Sequence, residues 1–444
     1  MRRGDARAPS RVSTLVATHP NLDALCTSID RRREELVELT RALVRFPTVN
    51  PPGEAYRPCA ELIGQRLLKR GFAVDYVHAQ GTPGDSARYP RLNVIARRES
   101  GIPGPCVHFN GHIDVVPTGA GWTVDPFAGL LRDGKLFGRG ACDMKGGLAA
   151  AIVAVEALLD SAERCPGVLE ISGTVDEESG GYGGVHYLAE RGWFSPPRVD
   201  HVIIPEPLNV DRVCIGHRGV WWAEIETHGR SAHGSMPFLG DCAVRHMYAL
   251  LDRLETELYP KLAARETEMP VVPPGARHAT LNINSIHGGM QELESGALPS
   301  PCVPDSCRVV IDRRVLIEED PAAVKAELKE ILDRLTKERA GFSYSLRDVL
   351  EVKPSMTDRN GPVARATGAA IREVLSREPE FICSPGTYDQ KHIDRIGKLR
   401  DCIAYGPGML DLAHRPDEYV RVDDLVASAK VMALAAATLL SRSA

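Results

Sequence analysis

The sequence predicts an α/β protein: a catalytic domain with a mostly parallel central sheet flanked by helices, and an α+β domain inserted into it. Three observations lead there. At 444 residues the chain exceeds the roughly 250 to 300 residues that one hydrophobic core organises. Helical and strand patterns alternate through its first half and resume near its end. Between these stretches lies a segment whose strands alternate apolar and polar residues, as half-buried antiparallel strands do. The expected division is a tail over 1–26, a first catalytic part over 27–218, the insert over 219–352, and a second catalytic part over 353–444.

In order, Asp30 precedes Leu36, Leu39, Leu43 and Phe46 at helical spacing, Pro47 stops that helix, and Pro51-Pro52-Gly53 turns the chain. A second helix carries Leu62, Ile63, Leu67 and Leu68 and closes at Gly71. Strands follow at Val74 to Val77, Leu92 to Ala96 and Cys106 to Asn110. A helix over Leu148 to Leu159 leads to strands Val168 to Val175 and Val202 to Ile204. The insert reads as strands Val220 to Thr227, Thr280 to Ser285, Ser306 to Val315 and Tyr344 to Glu351, with helices Ala243 to Glu257 and Pro321 to Lys337. Helices Val363 to Leu375 and Asp423 to Leu440 finish the catalytic part.

Composition narrows the function classes. An apolar share of 43% and a charged share of 25% are those of soluble globular proteins. A net charge of -5 leaves no broad basic footprint, so neither nucleic acid nor an anionic membrane is an expected partner, and a small molecule is. The 11 cysteines are odd in number and lack a C-x-x-C pair, which fits a reducing cytoplasm rather than a disulfide framework. The first twenty residues hold only a short Leu15-Val16-Ala17 run, too short for a secretion signal, and no apolar stretch reaches membrane-spanning length.

Chemistry-bearing residues fall where apolar strands end: His112-Ile113-Asp114 after Val107 to Phe109, Glu177-Glu178 after Ile171 to Val175, and Glu206 after Val202 to Ile204. In open α/β sheets the ligand crevice lies beyond the carboxyl ends of the strands, so residues far apart in sequence meet there. Asp143 joins them from the loop Gly138-Arg139-Gly140-Ala141-Cys142-Asp143, just before a helix. Carboxylates crowded into one cleft repel unless a cation binds, and mixed imidazole and carboxylate ligands suit zinc, manganese or cobalt.

These residues resemble one family, the di-metal deacylases and peptidases that include acetylornithine deacetylase, succinyl-diaminopimelate desuccinylase, aminoacylase and glutamate carboxypeptidase. The likeness runs through Gly111-His112-Ile113-Asp114-Val115-Val116-Pro117, Gly138-Arg139-Gly140, Asp143-Met144-Lys145-Gly146-Gly147, Asp176-Glu177-Glu178, Pro205-Glu206-Pro207 and Ala413-His414. It implies two divalent metal ions per subunit, with Asp143 bridging, His112 and Glu206 completing one site, and Glu178 and His414 the other. It further implies that Asp114 accepts the free ring N–H of His112, and that Glu177 is general base and acid, passing a proton from water to the leaving nitrogen. The insert resembles the family's lid and dimerisation domain in Gly229-Arg230-Ser231-Ala232-His233-Gly234-Ser235-Met236-Pro237. That implies a homodimer in which His233 donates to the oxyanion in the neighbouring active site.

Departures fall on the substrate side. Arg314, in Asp312-Arg313-Arg314, matches a lid arginine that touches substrate carboxylate, with the doubled arginine leaving the register open. Relatives carry an asparagine where this chain reads Pro301-Cys302-Val303-Pro304, and an arginine where Gly386-Thr387-Tyr388-Asp389-Gln390-Lys391-His392 has Lys391. An ammonium is a point charge without the guanidinium fork. Lys391, Tyr388 and His217 complete the expected substrate contacts. The leading reading is hydrolysis of a small N-acyl amino acid bearing a carboxylate. The alternatives are an aminohydrolase that releases ammonia from an amino-substituted aromatic acid, and a non-catalytic binding protein of the same fold.

Overall fold

A computed structural model of the chain describes residues 22–161, 165–289 and 301–441. Most of the expected tail lies outside them, but its last residues are folded: a helix spans Leu22–Arg31 and buries Leu25 and Ile29. This corrects the expected tail over 1–26, because the Leu25–Ile29 spacing of four already puts two apolar side chains on one helix face.

The central sheet has nine strands. Its middle is parallel: Cys106–His112 lies between Val168–Thr174 and His201–Pro207, and Cys402–Gly406 runs parallel on the far side of His201–Pro207. Its edges are antiparallel, with Leu92–Glu99 and Ala73–His78 at one end and Arg212–His217 paired to Ser355–Met356 at the other. Every residue of Cys106–His112 is buried, as expected of a strand covered on both faces. Helix Lys145–Leu159 packs against this strand and against helix Val422–Leu440, and its residues from Lys145 to Leu158 are all buried.

The inserted unit leaves after His217 and returns at Ser355, which pair directly in the sheet. It can thus be inserted without separating neighbouring strands. Its own antiparallel sheet runs Thr280–Gly288, Ser306–Val315, Gly219–His228, Ser343–Val352. Trp221, Ala223 and Ile225 pack with Val309 and Ile311 against Met247 and Leu250 of helix Ala243–Arg253 and Leu328 and Leu332 of helix Pro321–Glu338. Asp320 starts that second helix by accepting the backbone N–H of Ala323 at 3.2 Å, satisfying one of the amides a helix start leaves unpaired.

One small element has no signal in the expected pattern. Leu130–Arg132, Lys135–Phe137 and Tyr419–Arg421 form a three-stranded sheet that carries Glu418 to the loop beginning at Gly138.

Close packing sets how the helix meets the sheet. A Cβ on Gly147 would lie 1.9 Å from the carbonyl oxygen of Pro205, so glycine lets helix Lys145–Leu159 touch the strand that carries Glu206. Overpacking of this kind costs about 1–3 kcal/mol. Gly147→Ala is therefore expected to lower the thermal unfolding midpoint by several degrees, and an unchanged midpoint would contradict this contact.

Candidate metal centre

The parallel strands bring their carboxyl ends to one edge. His112 ends Cys106–His112 opposite Thr174, Glu177 and Glu178 begin the turn after Val168–Thr174, and Glu206 lies in His201–Pro207. Asp176 turns the chain there with a left-handed φ of 64°. Asp143 comes from the loop before helix Lys145–Leu159, and His414 from the segment after Leu410–Leu412.

Two groups of donors result. His112, Asp143 and Glu206 place one ligand atom each within 4.8 Å of one another, and so do Asp143, Glu178 and His414. Asp143 is common to both and buried. His112 Nε2 stands 3.2 Å from Asp143 Oδ1 and 4.0 Å from Glu206 Oε1. His414 Nε2 stands 3.1 Å from Glu178 Oε1 and 3.4 Å from Asp143 Oδ2. The residues fit divalent ions by their chemistry: nitrogen and oxygen donors, three carboxylates sharing one cleft, and no thiolate among them.

The electrostatics describe a site under charge repulsion. Burial, then the Asp143 charge, pushes the Glu206 carboxyl well above the ordinary range. Burial raises Glu178 to about 7 despite the hydrogen bond from His414. Burial alone would lower His112, yet its hydrogen bond to Asp143 and the charges of Glu206, Asp114 and Asp143 push it well above its usual value. Hydrogen bonds to Asp143 and Glu178 raise His414 to about 10. Without metal ions, protons partly balance the carboxylates.

Buried carboxylates hold the two loops. Asp114 Oδ1 accepts the backbone N–H of Glu177 and Oδ2 that of Glu178, each at 3.2 Å, while Asn50 Nδ2 donates to Oδ2 at 2.9 Å. This corrects the role expected of the Asp114 side chain toward His112. The His112 ring Nδ1 donates instead to the Asp114 main-chain oxygen at 3.0 Å, with Oδ1 at 3.6 Å. With three donors already on it, the carboxylate shapes the turn while the carbonyl fixes the tautomer that leaves Nε2 as ligand. On the other side, Glu418 Oε1 accepts the backbone N–H groups of Gly140, Cys142 and Asp143 at 2.9, 2.9 and 3.1 Å, and Arg139 Nη1 donates to its Oε2 at 2.6 Å.

The expected substrate contacts divide. Glu177 lines a cleft of about 180 Å³ together with Asp143, Glu178, Glu206, Tyr388 and His414. Lys391 is buried and donates from Nζ to Glu177 Oε1 at 2.8 Å. It therefore meets the neighbour of a metal ligand, where a substrate carboxylate had been expected. Tyr388 presents its ring to the cleft but sends its hydroxyl away, donating to Gln390 Oε1 at 2.6 Å. His217 is fully buried with its ring edge against Tyr388 and does not line the cleft, which corrects its expected substrate contact. Arg313 is consumed by Glu319 at 2.5 Å. Arg314, on the opposite face of the strand, stays partly exposed and joins Asp312 at 2.8 Å. His233 is exposed, bonds to Ser235 Oγ at 2.7 Å, and does not line the cleft of its own chain.

Sequence reasoning missed Asp389. It is buried and takes a hydrogen bond from Asn110 Nδ2 at 3.0 Å, at the end of a polar row in which His108 Nε2 meets Ser172 Oγ and Ser172 donates to Asn110, both at 2.7 Å. Burial, then the Glu177 charge, raises its carboxyl to about 7. The signal was available in the alternation of His108, Asn110 and His112 along one face of an apolar strand.

The raised imidazoles make metal uptake proton-coupled, since a ligand must lose its proton before it binds. Zinc added to chelator-treated protein at pH 7 is expected to displace protons, read as binding heats that differ between buffers of different ionisation enthalpy, with affinity rising from pH 6 to 9. Identical heats in all buffers would contradict this assignment. In the ion-free protein the His414 contribution to stability is full below its ordinary 6.5 and is lost as pH climbs through about 10.

Residues 108–438 match the Peptidase family M20/M25/M40. Succinyl-diaminopimelate desuccinylase of Dechloromonas aromatica is 30% identical over 395 residues, covering 88% of this chain and 94% of that protein. The enzyme of the same name from Stenotrophomonas maltophilia is 31% identical over 400 residues, covering 88% and 96%. In fold, the chain superposes on the di-peptidase Dug1p of Saccharomyces cerevisiae with a TM-score of 0.76 at 19% identity, over 96% of this chain and all 100% of the other. A dinuclear metal-binding peptidase of Bacillus subtilis gives 0.66 at 16% identity, over 93% and 99%. The match over residues 108–438 and the relatives 30–31% identical over most of their length agree with the fold, and the chain belongs to peptidase family M20/M25/M40.

Proposed function

We propose that the protein hydrolyses the amide bond of a small N-acyl amino acid, using two divalent metal ions held by His112, Asp143 and Glu206 and by Asp143, Glu178 and His414. The observation that carries this reading is the cleft lined by Asp143, Glu178, Glu206, His414 and Glu177, with His112 Nε2 3.2 Å from Asp143. Zinc suits these donors best, with manganese and cobalt acceptable. When bound, such ions polarise a carbonyl and lower the pKa of water from about 15.7 to about 7.

The chain's own residues do the rest. Glu177 takes a proton from the attacking water, which adds to the amide carbon. When the C–N bond breaks, Glu177 returns that proton to the departing nitrogen, leaving a carboxylate and a free amine. Lys391 fixes the Glu177 carboxylate through a buried ion pair, and Asp114 fixes the turn that carries it. The inserted domain over 219–352 serves as lid and dimer contact, with Arg314 receiving the substrate carboxylate and His233 reaching the neighbouring subunit's cleft. Exposed Phe238, Leu239 and Tyr248 on the insert supply apolar surface for that contact. Among the described residues no disulfide joins the cysteines and no helix is long and apolar enough to cross a membrane, which supports a place in the cytoplasm.

Turnover of N-acyl amino acids is expected to vanish on dialysis against a chelator and to return with zinc or manganese. Glu177→Gln should lower kcat by about 10²–10⁴ with KM changed only a few-fold. Full metal-stimulated turnover by that variant would overturn the proton-shuttle role. Lys391→Met should lower kcat more than Lys391→Arg does, because the arginine keeps a charge against Glu177, whereas equal losses would assign Lys391 a packing role only.

A further inference from the structure

Helix Ala243–Arg253 buries Ala243, Met247 and Leu250 along one face, and His246 is buried in that same face. A polar ring in an apolar stripe needs partners for its nitrogens. Arg339 Nε donates to His246 Nδ1 at 2.9 Å. A guanidinium has donors only, so Nδ1 is the acceptor and the proton of the neutral ring lies on Nε2. That nitrogen stands 2.9 Å from Asp241 Oδ1. Phe342 packs against the imidazole at a near right angle, with 5.5 Å between ring centroids, and Gly341 comes so close that a Cβ there would collide with Asp241 Oδ2. The turn after helix Pro321–Glu338 thus holds the ring, and the ring faces Asp241.

Asp241 closes a loop. It exchanges backbone hydrogen bonds with Arg230 in both directions, each of 2.8 Å, and His233 lies between them. No residue from Ser231 to Gly240 is buried, so this loop has no apolar anchor of its own and takes its position from polar ties. Along one side the Val303 amide donates to the Ala232 carbonyl at 2.8 Å and the Gly234 amide to that of Pro301 at 2.6 Å. At its base, the Asp241 side chain connects the loop to the interior of the insert.

Resting on the reading in which His233 serves the neighbouring subunit's cleft, we propose that His246 is a positioning residue for His233: with Arg339 behind it, it ties Asp241, and through the Arg230–Asp241 pair the whole loop, to the core of the insert. A donor aimed at a developing oxyanion works only in a fixed place, and a displacement of about 1 Å costs up to about a hundredfold in rate.

Three zinc-loaded variants are compared with the wild-type protein. His246→Phe keeps a ring and loses both nitrogens. His246→Gln supplies an amide that can accept from Arg339 and donate to Asp241. Asp241→Ala cuts the tie at a partly exposed side chain, so the question is decided even if the phenylalanine protein does not fold. On N-acyl amino acids, His246→Phe and Asp241→Ala are expected to lower kcat by about tenfold to a hundredfold with KM and zinc content little changed, and His246→Gln to restore most of the loss. In a His233→Ala background, which alone costs about 10²–10³, neither change lowers kcat further, because both act through that ring. Amide hydrogen exchange, which needs no turnover, is expected to quicken over 230–241 and to keep its wild-type rate in the catalytic domain. Unchanged exchange in the loop, undiminished kcat in both variants, or losses that add to that of His233→Ala overturn the proposal. Turnover indifferent to His233→Ala overturns the role of His233 and the proposal with it. Quickened exchange together with no turnover by the wild-type protein would sustain the tie and overturn the hydrolase reading instead.

Discussion

The structure depends on the crowding of three carboxylates, Asp143, Glu178 and Glu206, into a space shared by two imidazoles. Each comes from a different segment of the chain, and burial pushes Glu178 and Glu206 upward. No apolar packing compensates for charges so placed, whereas divalent cations do so directly. The parallel centre of the sheet aims its strand ends at one edge, glycine at 147 lets the Asp143 helix press on the Glu206 strand, and the hairpin near residue 135 delivers Glu418. Each of these features serves to hold like charges near one another.

Holding them requires a second set of carboxylates that bind no metal. Glu418 gathers three backbone amides of the Asp143 loop, and Asp114 gathers two from the Glu177-Glu178 turn. A buried acceptor saturated by backbone donors fixes main-chain shape more tightly than side-chain packing alone, because each missing bond would cost a desolvated polar group. Lys391 extends this arrangement from geometry to charge by pairing with Glu177.

Much of this is legible in the sequence, for identifiable reasons. The long helices and the buried strands announce themselves through periodicity, and the ligands through polar residues at the ends of apolar runs, as at His112 and Glu206. Short elements such as Lys135–Phe137 and Tyr419–Arg421 are three residues each and exist only through pairing across the length of the chain, so no local pattern reveals them. Glu418 was invisible for the same reason, since its partners are 275 to 279 positions away. For Asp114 the spacing identified the right residue, but its nearness to His112 could not tell the carbonyl from the carboxylate. Lys391 and His217 were assigned to substrate because sequence gives no burial, and burial decides whether a cation meets solvent or a neighbouring acid.

The most direct test of the central claim is the anomalous scattering of zinc in crystals of the full chain. The account predicts two peaks roughly 3.5–4 Å apart on either side of Asp143, one against His112 and Glu206 and the other against Glu178 and His414. A single peak, or peaks that leave Asp143 outside their coordination, would contradict it.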